Sequence, residues 1–275
     1  MNIWHIARKE ISDGLRNRWL LAISLLFAIL AAGIAWFGSA TAGQVGFSSI
    51  AATIASLASL ATFLVPLIAL LLAYDSIVGE DEGGTLLLLL TYPLGRGQLL
   101  LGKFAGHGVI LALATLLGFG SAALAIGLLV PDVDLQVLLV SFVRFILSAT
   151  LLGWVFLAMA YVLSALAREK STAAGLALGV WFVFVLVFDL ALLALLVFSQ
   201  GKLSPALLPY LLLFNPTDIF RQLNIMGLDE NASLEGVMSL ASELPLGNAG
   251  LWLSLMIWLG VMLAAAHFSL KARKI

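Results

Sequence analysis

The chain has 275 residues, of which 62% are apolar and only 11% charged, with a formal net charge of −1. A soluble domain carries about 25% charged residues, so this composition excludes one, and the near-zero net charge gives no sign of nucleic-acid binding. The absence of cysteine removes disulfides, thiolate metal sites and cysteine nucleophiles.

Residues 1–18 read as an amphipathic helix lying along a membrane surface. Trp4, Ile6, Ile11 and Leu15 can share an apolar side while Arg8, Lys9, Arg16 and Arg18 stay wet; a plain basic topology signal is the compatible simpler reading. Six apolar stretches follow, at 19–37, 50–74, 104–130, 145–167, 171–198 and 249–270. Each approaches or exceeds the ~20 residues that cross a hydrocarbon core. The first follows a charged segment and is longer than the apolar core of a secretory signal, so it is expected to stay as a span. Pro66 lies inside the second and is expected to kink it, because proline supplies no backbone donor. The fifth is long enough to tilt. The expected fold is an all-α integral membrane protein with six transmembrane helices.

An even number of spans puts both termini on one side. Arg8, Lys9, Arg16, Arg18, Arg96, Lys103, Arg168, Lys170, Lys271, Arg273 and Lys274 share it, eleven of the fourteen basic residues. Lys202 and Arg221 fall opposite, with Arg144 at the mouth of the fourth span. Basic loops stay in the cytoplasm, so both termini and the 75–103 loop are expected there.

The opposite side is acidic, with Asp132, Asp134, Asp218, Asp229, Glu230, Glu235 and Glu243. Most of it is one segment, 200–248. Its 207–214 part is apolar, Asn215-Pro216-Thr217-Asp218 opens a helix, and 233–244 can form another. A segment this long with helical pieces is expected to form a compact cap. That cap is either a docking surface, with Asn215, Asp218, Arg221, Asp229 and Glu230 as contacts, or a lid on the span ends.

The loop between spans two and three is the most informative stretch. Glu80, Asp81 and Glu82 precede Thr85, five leucines follow at 86–90, and Pro93 closes the run. Acids favour a helix start and proline stops one, so 85–92 is a short helix of about 12 Å at 1.5 Å per residue. It cannot span, and its leucines need cover from the spans or from a docked protein. The candidate docking set is Glu80, Asp81, Glu82, Thr85, Leu86, Leu88, Leu89 and Pro93, with Arg96 anchoring the loop. Gly97 to Lys103 copies most of a phosphate-binding loop. Phe104 stands where Ser or Thr must reach magnesium, however, no strand precedes it, and leucines fill its interior. ATP is therefore not expected on this chain.

Other constellations are sparser. Gly102 with Gly106, and Gly175 with Gly179, have the spacing that lets helices approach closely. Thr53, Ser56, Ser59 and Thr62 form a weakly polar stripe, fit for packing or for facing a watery cavity. Asp189 is the one acid inside a span, either functional or fastening two helices. His5, His107 and His267 fall in different segments, the methionines form no ladder, and no nucleophile–base set is present. The chain is expected to be neither a metal binder nor an enzyme.

The basic amphipathic start IARKEISDGLRNRW, the loop EDEGGTLLLLLTYPLGRGQLLLGK and the six-span topology together resemble the ABC-2 type permeases, whose ATPases are separate chains. The resemblance implies a type V exporter-like fold with an N-terminal elbow helix, and a cytoplasmic coupling helix in the 75–103 loop that fits a groove in the ATPase. ATP and Mg would be held by that partner, and no cofactor by this chain. With the Arg168–Ser171 turn and the outer NPTDIFRQL, the sequence is similar to the branch of that family that matures the copper centres of nitrous oxide reductase. That narrower resemblance implies a homodimer in a bacterial inner membrane, a NosF-like ATPase below it and a NosD-like periplasmic protein on the acidic face. The alternative within the family is an exporter of a drug, lipid or peptide through a homodimer cleft. A secondary transporter would normally show internal repeats and interrupted helices, and neither is clear in the sequence.

Overall fold

The structure is a computed structural model that describes residues 3–37, 47, 49–91, 95–199, 207–225 and 247–273. Those residues are helical almost throughout, and no strand occurs among them. In chain order the helices are α1 (Ile3–Arg16), α2 (Trp19–Phe37), α3 (Ile50–Ala73), α4 (Val78–Glu82), α5 (Thr85–Thr91) and α6 (Arg96–Leu129). They continue with α7 (Leu135–Leu166), α8 (Lys170–Phe182), a π-helical turn (Val183–Val187), α9 (Phe188–Phe198), α10 (Leu208–Leu212), α11 (Pro216–Ile225) and α12 (Gly247–Ala272). Among the described residues, six stretches are long and apolar enough to cross a membrane: α2, α3, α6, α7, the continuous α8–π–α9 rod, and α12.

Two spans start earlier than hydropathy suggests. The fourth begins at Leu135 rather than at 145, because Asp134 caps it, accepting from the N–H groups of Gln136 and Val137 at 2.9 and 3.1 Å. Arg144 does not end it, since its Nη2 donates to the Leu223 carbonyl and, at 2.8 Å, to Asn248 Oδ1. The third rod begins at Arg96, and 34 residues at 1.5 Å each make about 51 Å. That exceeds the ~30 Å core, so α6 projects beyond it at the end where both termini lie. Helix α3 runs uninterrupted through Pro66, which is buried, and the Thr62 hydroxyl donates to Ala58 O at 2.8 Å.

Helix α7 is the centre of the bundle, packed against α3, α6 and α12 and enclosed along most of its length. Helix α6 carries α1 and α2 on its other side. Aromatic contacts stitch these layers. Phe27 stacks on Phe119 at 4.6 Å, Phe119 meets Phe145 edge-on at 4.9 Å, and Phe145 reaches Phe220 at 6.1 Å. The fifth and sixth spans, by contrast, leave most of their apolar surface bare.

The first helix turns a different side inward from the one its apolar residues suggest. Trp4 and Leu15 face out, while Ile6, Ala7, Glu10 and Gly14 are buried on α6. The reason is on α6: a Cβ at Gly102 would stand 2.7 Å from Ile6 Cβ, and one at Gly106 2.5 Å from Glu10 Cβ. Glycine at both positions is what admits this close crossing. The second glycine pair is not used this way, since Gly175 and Gly179 have nothing within 4 Å.

Of the 200–248 segment expected to cap the far end, the described residues 207–225 dip among the spans. Asn215 Nδ2 and Thr217 Oγ1 donate to the Phe184 carbonyl at 2.8 and 3.3 Å, and Phe184 lies midway between Lys170 and Phe198. Trp258 Nε1 donates to Leu213 O at 3.0 Å, and Asn224 Nδ2 donates to Ser148 Oγ at 2.9 Å. These are contacts about 15–20 Å along the rods at 1.5 Å per residue, not contacts with their tips. Backbone below the surface must be satisfied by protein, and this segment meets that rule with side-chain donors. The π turn fits the same logic. Its widened loop pairs Phe188 N–H with Val183 O, and Phe184 O takes its donors from α11. Residues 233–244, expected to form a helix, lie outside the described residues.

Candidate coupling site

The site lies at the terminal end, around α5. Five leucines in a row cannot all point one way on a helix with 3.6 residues per turn. Leu86 is fully buried and Leu89 packs against the core, whereas Leu87 and Leu88 are 59% and 63% exposed. Thr85 closes the helix start by donating to Glu80 O at 3.1 Å, and Thr91 closes its end on Leu88 O at 2.7 Å. Gly84 has φ +68°, a left-handed conformation that breaks α4 from α5. The expected helix at 85–92 is thus α5, with Tyr92 and Pro93 outside the described residues.

The acids before α5 do not line up on its first turn as expected. They belong to α4, and each is turned to a different part of the chain. Glu80 Oε1 pairs with Lys103 Nζ at 2.5 Å. Asp81 Oδ2 accepts from Arg273 Nη2 at 2.6 Å and from Nε at 3.0 Å. Glu82 Oε1 accepts from the backbone N–H of Lys170 at 2.8 Å, at the start of α8. Ser164 Oγ on α7 completes the ring by accepting from the N–H groups of Ile77 and Val78 at 2.9 and 3.1 Å. In this conformation the three carboxylates hold the loop to the bundle, while Glu82, Thr85, Leu87 and Leu88 remain exposed to a partner.

Lys103 is the ionic hub that sequence reasoning missed. It is buried, and besides Glu80 it bonds Glu10 Oε1 of α1 at 2.8 Å. Burial would raise the Glu10 carboxyl, but the Lys103 charge and hydrogen bond outweigh it and hold the group below its ordinary value of 4.5. The opposing pair, 93 residues apart, left no local signal. In sequence, Lys103 belonged to the rejected phosphate-loop motif. The structure places Gly97 to Lys103 within the rod of α6, where Gly102 serves helix contact and Lys103 an ion pair. His107 Nδ1 and Tyr161 Oη lie 2.7 Å apart on the same polar seam.

Arg96 binds the far end of the chain. Its Nη1 donates to the carbonyl oxygens of Leu270, Lys271 and Arg273 at 3.0, 2.6 and 3.2 Å. A cation here also opposes the negative end of the α12 dipole.

At the other end, Asn215 and Asp218, read as partner contacts, are buried inside the chain. Asn215 caps α11, Oδ1 accepting from Thr217 N–H at 3.1 Å, and its Nδ2 donates to Asp218 Oδ2 at 3.0 Å. Arg221 bridges two acids, with Nη2 3.2 Å from Asp189 Oδ2 and Nη1 3.5 Å from Asp218 Oδ1. Asp189 therefore sits where the fastening alternative puts it, between the fifth span and α11. Asp229 and Glu230 lie outside the described residues. In the second span, Thr53 and Thr62 are buried and donate to carbonyls one turn back, Ser49 O and Ala58 O. Ser59 does the same on an exposed face. No group of three or more His, Asp or Glu with metal-ligand geometry occurs among the described residues.

A six-span bundle with a short leucine helix tethered at one end and a short helix, α11, buried among the spans toward the other defines the class, and the chain belongs to the ABC-2 family transporter proteins, whose profile matches residues 4–275. It is the membrane-spanning permease subunit of an ABC transporter. Two relatives described as "Probable ABC transporter permease protein NosY" are similar over nearly the whole length. That of Stutzerimonas stutzeri is 70% identical over 271 residues, 98% of this chain and 98% of the relative. That of Pseudomonas aeruginosa PAO1 is 69% identical over 273 residues, 99% of each.

Proposed function

We propose that this permease couples ATP hydrolysis by a separate, NosF-like ATPase to a NosD-like periplasmic protein, in assembly of the copper sites of nitrous oxide reductase. The NosY description shared by both relatives supports that setting. The chain works as a homodimer in a bacterial inner membrane, with both termini and α5 in the cytoplasm. ATP and Mg stay on the ATPase.

The observation that carries this reading is the exposed Leu87–Leu88 edge of α5, held at the terminal end by loop carboxylates that are bonded inward. A rigidly tethered apolar edge of one or two turns fits a groove in a partner better than it fits water. Co-expression with the ATPase tests it. The expected result is co-purification and client maturation in a strain lacking the native permease; failure to retain any ATPase sinks the reading.

The exporter reading draws on one feature, the part-exposed Asp189 beside bare surface of the fifth span. ATP-dependent uptake of radiolabelled copper or a sulfur donor into inverted vesicles would favour it over pure force transmission.

A further inference from the structure

Both stems of α5 end on the same few residues. Upstream, Asp81 is gripped by Nη2 and Nε of Arg273 at 2.6 and 3.0 Å. Downstream, Arg96 grips the carbonyl oxygens of Leu270, Lys271 and Arg273. Arg273 also donates Nη1 to Ser164, Ala165 and Ala167 O at 3.2, 2.8 and 2.7 Å, closing the C-terminal end of α7. Its side chain is only 9% exposed. One carboxylate and three carbonyls occupy the guanidinium fork in a fixed plane, which an ammonium could not reproduce.

We propose that residues 270–273 are the seat through which α5 moves the spans, with Arg273 and Arg96 as positioning residues. This rests on the reading of α5 as the ATPase-docking helix. A helix of seven residues joined through Gly83-Gly84 and Gly95 can rotate about those hinges under a push, because glycine offers the widest backbone freedom. Clamping both stems to one turn of α12 converts that rotation into displacement of α12 and of α7. Helix α7 is the most enclosed rod, and its far half bonds α11 through Arg144–Leu223 O and Ser148–Asn224. A displacement at the seat therefore has a continuous packed route to α11.

The chain has no cysteine, so D81C/R273C introduces the only thiols of the permease, beside a groove of about 600 Å³ that admits a reagent. The experiment uses the complex with its co-expressed ATPase and follows hydrogen exchange of α11 with and without ATP. In the parent complex ATP alters that exchange. In D81C/R273C the ATP effect, normalised to the ATPase retained and its turnover in the same sample, falls at least tenfold. A reductant-cleavable linker of a few methylenes across the pair restores it. General loosening would instead raise exchange equally with and without ATP. The proposal is overturned if the ATP effect persists in the unlinked variant, if linking does not restore it, or if the parent shows none. Should the double variant fail to accumulate, R273K must show the same split, and parental behaviour in R273K overturns the proposal. A parent that retains no ATPase defeats the docking reading instead.

Discussion

Glu10 of the first helix and Lys103 of the third span pair at 2.8 Å, and Lys103 carries Glu80 of the loop at 2.5 Å on its other side. One buried ammonium thus joins the N-terminal helix, a span and the base of α5. Removing a partner from such a site leaves uncompensated buried charge, which costs about 3–5 kcal/mol. Lys103→Met is expected to lose stability on that scale in a thermal-shift assay in detergent. Adding Glu10→Gln and Glu80→Gln should recover most of it, because no charge is then stranded.

The same junction sets a pH dependence. The Glu10 carboxyl is held below 4.5 by Lys103, so its contribution is complete above that value and lost as pH falls through the lowered one. The stability gap between the parent and Glu10→Gln is therefore expected to be constant from pH 7 to pH 5. It should close below pH 4.5. A gap that closes between pH 7 and pH 5 would contradict the assignment.

Adjacent leucines of α5 should fail in different ways. Leu86 is fully buried and Leu88 is largely exposed. Leu86→Ala is expected to cost about 2–5 kcal/mol of stability. Leu88→Asp should leave the melting temperature within a degree or two, yet weaken ATPase retention at least tenfold, about 1.4 kcal/mol or more. Pull-down with the ATPase, set beside a melt of the permease alone, separates the two.

Glycine spacing alone does not say which pair packs. A Cβ at Gly106 would meet Ala7 O at 2.9 Å as well as Glu10 Cβ. Gly106→Ala is expected to displace the first helix and cost about 1–3 kcal/mol, read as increased proteolysis of residues 1–18. Gly179→Ala meets nothing within the chain and should leave that helix undisturbed.

Arg221 holds two acids and each acid holds one cation, so truncations should be unequal. Asp189→Asn leaves Arg221 with Asp218, and its side chain is 40% exposed; a loss within about 1 kcal/mol is expected. Arg221→Gln leaves Asp189 and Asp218 facing each other and should cost several-fold more. Equal losses in the two variants would argue against the bridge.

Local composition was enough for the spans, their number and the short helix near 85–92, because each depends on a contiguous run of residues. Runs of uncharged residues longer than the bilayer is thick leave a chain few alternatives to crossing it. The family likeness was legible for the same reason, in one continuous loop. What the tertiary structure decided are the partners of the charges. Nothing near Glu80, Asp81 and Glu82 in sequence announces that Lys103, Arg273 and the Lys170 amide are brought to them from elsewhere in the chain. Asn215 and Asp218 look like outer contacts until α11 is found sunk against Phe184. A charge or amide in a low-dielectric interior must find a partner wherever the fold provides one, and sequence distance carries no record of which one that is.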